Sequence, residues 1–174
     1  MQAKLMKMRN VKDPVKNLDR IMEIVRLHLH EDQADEILDE YTRKAAEEFQ
    51  LPVSLVSIIL DDVQKFAAST GLEGWLAETN GSPVEWSFCA NSIRSGKPFI
   101  VEDAPNHDMV KSNPLVTVEG IRCYAGAPLV TKNGYVVGNF CVLGSEERTF
   151  SDAEIERVKE YARKIMDRIE SRMG

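Results

Sequence analysis

The chain has 174 residues, 43% hydrophobic and 29% charged, the balance of one globular domain, which excludes wholesale disorder, collagen-like sequence and a disulfide-packed miniprotein. The net charge of −6 argues against a nucleic-acid groove, and three cysteines without a CxxC pair make neither a disulfide framework nor a zinc site. The longest mostly apolar stretch, Val53 to Leu60, is too short to span a bilayer; with no signal-peptide pattern at the N-terminus, a cytoplasmic location is expected.

Residues 1–12 carry Lys4, Lys7, Arg9 and Lys12 and read as a basic, solvated arm ahead of one domain over residues 13–174. Asp13-Pro14 reads as a helix start, followed by apolar residues at helical spacing from Leu18 to Leu29. A second amphipathic run, Ile37 to Phe49, stops before Pro52. The β-branched and leucine-rich segment from Val53 predicts a buried strand, and Lys65 to Ser69 the strand returning after the Asp61-Asp62 turn. Residues 70–83 read as a loop. Its only large apolar side chains, Leu72, Trp75 and Leu76, suggest that it folds back over something apolar. Trp86 to Ser95 predicts a short helix ending at Gly96, Phe99 to Val101 a short strand, and residues 103–118 an irregular link. Two strands, from Ile121 and from Tyr135, flank Asn133-Gly134, the strongest hairpin signal in the chain. Ser151 and Glu154 open the last helix as a capping box, with an apolar stripe at Ile155, Val158, Ala162, Ile165, Ile169 and Met173. The order predicts an α+β fold with an antiparallel sheet.

A two-residue turn at Asn133-Gly134 sets Lys132 opposite Tyr135, Cys123 opposite Gly144 and Cys141 opposite Gly126. Alternation then gives one face Cys123, Ala125, Ala127 and Leu129 with Val136, Gly138, Phe140 and Val142, suited to covering by helices. The other carries Arg122, Tyr124, Gly126 and Pro128 with Val137, Asn139, Cys141 and Leu143 and can look into a cavity. Cys123 and Cys141 point apart and cannot pair. His28 and His30 sit near a helix end and His107 in a loop, too dispersed to suggest a hydrolase triad. There is no HExxH, GxGxxG or phosphate loop.

From Leu18 to Met173 the chain resembles the GAF domain family of bacterial small-molecule sensors. The resemblance rests on Ser87-Phe88-Cys89, Phe99 to Ala104, Asn113 to Val116, Ile121 to Leu129, Gly134 to Leu143, and Arg148 with Phe150 and Ser151. It implies a central antiparallel sheet with helices from both chain ends on one face and a loop-roofed pocket on the other. Phe66, Trp75, Phe88, Cys89, Asp103, Asn113, Tyr124 and Cys141 are the expected pocket residues, with Asp103 and Asn113 orienting the ligand. The resemblance leaves the ligand and any cofactor open but disfavours two types: the Asn-Lys-Phe-Asp-Glu run of the cyclic-nucleotide type is absent, and no cysteine precedes a histidine as in the bilin type. The free methionine-(R)-sulfoxide reductases of this fold place a catalytic cysteine in the segment corresponding to residues 108–120, which has none here. They place carboxylates near Tyr124, Cys141 and Leu143, where none is acidic. The expected function is therefore ligand sensing in bacterial signal transduction rather than catalysis, through a partner or a homodimer of terminal helices that uses Leu18, Ile21, Val25, Ile169 and Met173. The alternatives are a divergent thiol reductase and a ligand-free dimerisation domain. Cys89 and Cys141 are expected to be buried and unpaired.

Overall fold

The computed structural model describes residues 13–173; the basic arm lies outside them. Asp13 Oδ1 accepts from the Val15 amide and Pro14 opens a single 3-10 turn, Pro14–Lys16. The helix expected to continue breaks at Asn17, whose extended backbone and side chain cap a new helix, α1 (Leu18–Arg26). α2 (Glu36–Phe49) is capped by Asp35 and ends at Gln50 in the left-handed conformation. The strands β1 (Val53–Ile59) and β2 (Val63–Thr70) follow.

The segment read as a loop contains a short helix, α3 (Gly74–Thr79), and an edge strand, β3 (Gly81–Pro83). The helix expected from Trp86 is two pieces, a 3-10 turn Val84–Trp86 and α4 (Ala90–Ser95). After β4 (Phe99–Val101), the irregular link contains a 3-10 turn and the single helical turn α5 (Pro114–Thr117). β5 (Cys123–Val130), β6 (Val136–Gly144) and α6 (Asp152–Ser171) complete the chain, and the capping box of Ser151 and Glu154 is formed. Propensity had little to grip in pieces this short; each is fixed by caps and sheet edges.

The six strands form one antiparallel sheet in the order β3-β2-β1-β6-β5-β4. α1, α2 and α6 cover one face, with Ile24, Leu38, Phe49, Val158 and Ile165 packed on Ala125, Ala127, Leu129, Phe140 and Val142. The other face carries Leu55, Phe66, Val101, Tyr124, Cys141 and Leu143 under Phe88, Leu115 and Val116. Among the described residues no helix is long and apolar enough to cross a membrane.

The hairpin corrects the expected turn. Thr131, not Lys132, faces Tyr135: its amide donates to the Tyr135 carbonyl, and the Gly134 amide donates back to the Thr131 carbonyl. The connection is a three-residue loop whose Gly134 has φ +87°, a type I turn closed by a left-handed glycine. The pairing from Cys123 with Gly144 to Leu129 with Gly138 is the one expected, because a register shift past Leu129 compensates the longer loop. Val136 and Val137 therefore exchange faces: Val137 packs with the helices and Val136 with the opposite cluster.

Polar contacts lock this end of the molecule. Glu23 of α1 accepts from Thr131 Oγ1 at 2.6 Å and Asn133 Nδ2 at 3.2 Å, and Glu170 of α6 accepts from the Lys132 amide at 3.0 Å. Asp35 receives Arg168 at 3.1 Å and Arg172 at 3.0 Å, so the end of α6 is tied to the start of α2. Ile165 and Ile169 are fully buried within their own chain, so Ile169 is not available to the expected dimer of terminal helices. At the terminal helices the exposed apolar residues are instead Leu18 (66%), Met22 (58%) and Val25 (43%) on α1, with Met173 at 42% just past α6.

Arg20 is buried among carbonyls. Its guanidinium donates to Ile59 O and Val15 O at 2.7 Å, to Leu60 O and Pro14 O at 3.3 Å, and to Val136 O at 3.4 Å. Burial lowers its pKa to about 10, against the pull of Asp13 and Asp61. Replacing Arg20 with Met keeps an apolar stem and removes every donor. Urea unfolding should show a loss of about 2–4 kcal/mol, the usual range for orphaning groups in a buried charged network.

Candidate functional site

Between the sheet and the segments that roof it lies a cavity of about 320 Å³. Leu55, Phe66, Tyr124 and Leu143 supply its floor, Leu72, Leu76, Leu115 and Ile121 its roof, and Phe88 and Cys89 a side wall. Phe88 meets the Tyr124 ring edge-on at 5.2 Å between centroids, a favourable aromatic geometry. Gln64, also on the lining, is held by Ser82 at 2.6 Å and Ser87 at 2.8 Å. Among the described lining residues the charged side chains are Glu73 and Glu119.

Four of the expected residues, Phe66, Phe88, Cys89 and Tyr124, come together on this lining. Cys141 is fully buried in the layer behind it. Asp103 is turned to local structure, with Oδ2 accepting from Asn106 Nδ2 at 2.7 Å. Asn113 caps α5 through the Leu115 amide at 2.9 Å and donates to the Trp86 carbonyl at 3.1 Å; it fastens the roof and does not line the cavity. Short polar residues of this kind are drawn to caps and turns, which is why neither reaches the cavity. Trp75 belongs to α3, but its side chain is outside the described set. The apolar roof residues Leu72 and Leu76 were signalled by their isolation in a polar segment, and Leu143 by strand alternation. Leu115, Ile121, Glu73 and Glu119 had no such signal.

Behind the side wall lies a buried polar cluster. Tyr124 Oη donates to Cys89 Sγ at 3.1 Å, Asn139 Nδ2 donates to Tyr124 Oη at 2.6 Å, and Cys89 Sγ is 3.6 Å from Ser57 Oγ. A hydrogen bond from Cys141 is the main cause that lowers the Cys89 pKa to about 6, against burial and with help from Tyr124, Ser57 and Asn139. Burial, then the neighbouring Cys89, pushes Cys141 well above the usual thiol range, and burial raises Tyr124 likewise. All three cysteines are free and buried. Asn139 Oδ1 has no partner, and flipping the amide would forfeit the Nδ2 bonds to Tyr124 and the Phe140 carbonyl.

Residues 31–170 match the GAF domain family. The chain belongs to that family. Over 146 residues it is 37% identical to a cyclic di-GMP phosphodiesterase of Pseudomonas aeruginosa, a match covering 83% of this chain and 24% of that protein; the chain spans about a quarter of its relative's length. The GAF domain of an Acinetobacter phosphoenolpyruvate-protein phosphotransferase superposes with a TM-score of 0.64 at 16% identity, over 88% of this chain and 92% of that one. A free methionine-R-sulfoxide reductase of Neisseria meningitidis, in complex with its substrate, superposes with a TM-score of 0.63 at 16% identity, over 83% of this chain and 84% of that one. These likenesses show the α+β GAF fold, as the sequence led one to expect, in a family found in sensor and signalling proteins.

Gly126 is required for the cluster to close. A Cβ there would sit 2.4 Å from Asn139 Nδ2 and 2.5 Å from Tyr124 Oη. Gly126→Ala should therefore separate this pair and lower stability by about 1–3 kcal/mol, the usual cost of overpacking, measured by chemical denaturation.

Proposed function

We propose that this GAF domain is a sensory module of bacterial signal transduction that binds a small, mostly apolar molecule in the cavity and conveys its presence to a partner. The observation that carries the reading is the cavity itself, with apolar floor and roof and few polar groups, the usual make-up of a small-molecule site. Its walls differ in build: the floor is a sheet paired on both sides, while the roof consists of short helices and turns, suited to responding to an occupant. The Pseudomonas relative is a phosphodiesterase matched over only 24% of its length, which supports a regulatory role for the matching part. The lack of a cysteine in residues 108–120 and of acids at Tyr124, Cys141 and Leu143 speaks against the sulfoxide reductase alternative. Three free thiols accord with a cytoplasmic setting.

Native mass spectrometry of freshly purified protein tests the binding reading. We expect a retained small molecule, displaced by mild denaturation, and none in Leu72→Trp, where the larger side chain fills the cavity from its roof. An unliganded wild type that gains no thermal stability from a library of apolar metabolites would favour the ligand-free alternative.

We further propose a homodimer through α1. Leu18, Met22 and Val25 form one exposed stripe at helical spacing. A two-fold axis near Met22 brings Leu18 of each copy toward Val25 of the other and Asp19 toward Arg26. Sedimentation at a few tens of micromolar should show a dimer for the wild type and a monomer for Met22→Glu, with unchanged circular dichroism. A monomeric wild type ends this reading.

A further inference from the structure

Cys89 is the nucleophilic side chain on the cavity wall, and the groups around it suit a sulfur anion. Asn139 Nδ2 occupies an acceptor position of Tyr124 Oη, which leaves the tyrosine's own proton for Cys89 Sγ. Ser57 Oγ accepts from the Cys89 thiol at 3.6 Å, and a hydrogen bond from Cys141 favours the Cys89 anion. The tyrosine hydroxyl thus points at the sulfur, with Asn139 behind it. A cysteine kept only as a small apolar residue needs none of these donors, whereas the thiolate is the reactive form. Cys141 supplies a second sulfur in the same buried cluster. Cys123 lies on the opposite face of the sheet among the helix contacts, so the molecule carries its own control thiol.

We propose that Cys89 and Cys141 form a peroxide-reactive dithiol, reached through the cavity by hydrogen peroxide or a small organic hydroperoxide. The Cys89 thiolate attacks the outer peroxide oxygen. The O–O bond breaks, the alcohol (water, for hydrogen peroxide) leaves with a proton, and Cys89 becomes a sulfenic acid. The Cys141 sulfur then attacks the Cys89 sulfur. The S–S bond forms, and the sulfenic oxygen departs as water with the Cys141 proton. In sum two thiols lose two electrons and one hydroperoxide gains them, giving a disulfide, an alcohol and a water; a dithiol reductant reverses it. The hydrogen bonds that lower the Cys89 pKa below the usual thiol range favour the thiolate, the form that reacts. This proposal needs the cavity's opening and is independent of what ligand the domain senses.

The test uses the whole chain, shown by native mass spectrometry to be free of bound small molecules, and a few equivalents of hydrogen peroxide. Intact mass should fall by two hydrogens per chain, peptide mapping should find a Cys89–Cys141 cross-link, and dithiothreitol should restore both thiols. Cys141→Ser should stop at a sulfenic acid on Cys89 that dimedone traps, and Cys123→Ser should oxidise like the wild type. Tyr124→Phe should move the midpoint of the rate–pH profile upward by about one unit, the size of one lost hydrogen bond of tenfold strength; a merely structural tyrosine would leave that midpoint in place. A wild type that keeps its thiols under conditions that oxidise glutathione, or a first oxidation at Cys123, overturns the proposal. Cys89→Ser should leave Cys141 reduced under the same peroxide; should that variant fail to fold, the Cys141→Ser trapping experiment still decides.

Discussion

Arg20 fixes where the chain changes sides. Val15 packs with the cavity-side cluster and Ile24 with the helix-side cluster, so the chain must pass the end of the sheet between them. A strand end exposes backbone carbonyls, and burying them without donors is costly. The Arg20 guanidinium resolves this with one planar group that reaches the 3-10 turn, the end of β1 and the start of β6 together. Lysine has the charge but not the fork. With this crossing set, α1 and α6 can lie on the same face as α2, and the opposite face is left to the short elements that roof the cavity.

Strand alternation made much of the sheet legible. Once the Asn133-Gly134 turn was located, it sorted Cys123, Ala125, Ala127 and Phe140 to the helices and Tyr124, Cys141 and Leu143 to the cavity side. The error was local: a left-handed Gly134 lengthens the loop by one residue, and the register shift past Leu129 absorbs it, so only Val136 and Val137 changed places. The long helices were legible because caps and periodicity agree at Asp35 and Ser151. α3, β3 and α5 were not, because elements of three to six residues bury too little to leave a periodic trace.

The site was legible in its aromatic and thiol wall and misread at its polar groups. Asp103 and Asn113 looked like ligand contacts because they are hydrophilic residues in a long connection. Both are consumed by the connection itself, whose turns need side-chain acceptors. Polar residues in an irregular segment therefore serve first the backbone that carries them. The acids that do reach the cavity, Glu73 and Glu119, sit in stretches with no pattern to mark them. The cluster around Cys89 depends on a close approach over Gly126, which no spacing rule reports.

The hairpin loop has a mechanical consequence. It receives Glu23 from α1 and Glu170 from α6, while Arg26 reaches both acids, Glu23 at 2.6 Å and Glu170 at 3.7 Å. The first and last long helices are thus gripped at one point, the tip of β5 and β6, whose opposite face includes Tyr124 and Leu143 of the cavity floor. A twist of these two strands is a torque applied to both helices through a shared pivot. It would turn them as a pair, like two hands on one crank, and would not slide one along the other.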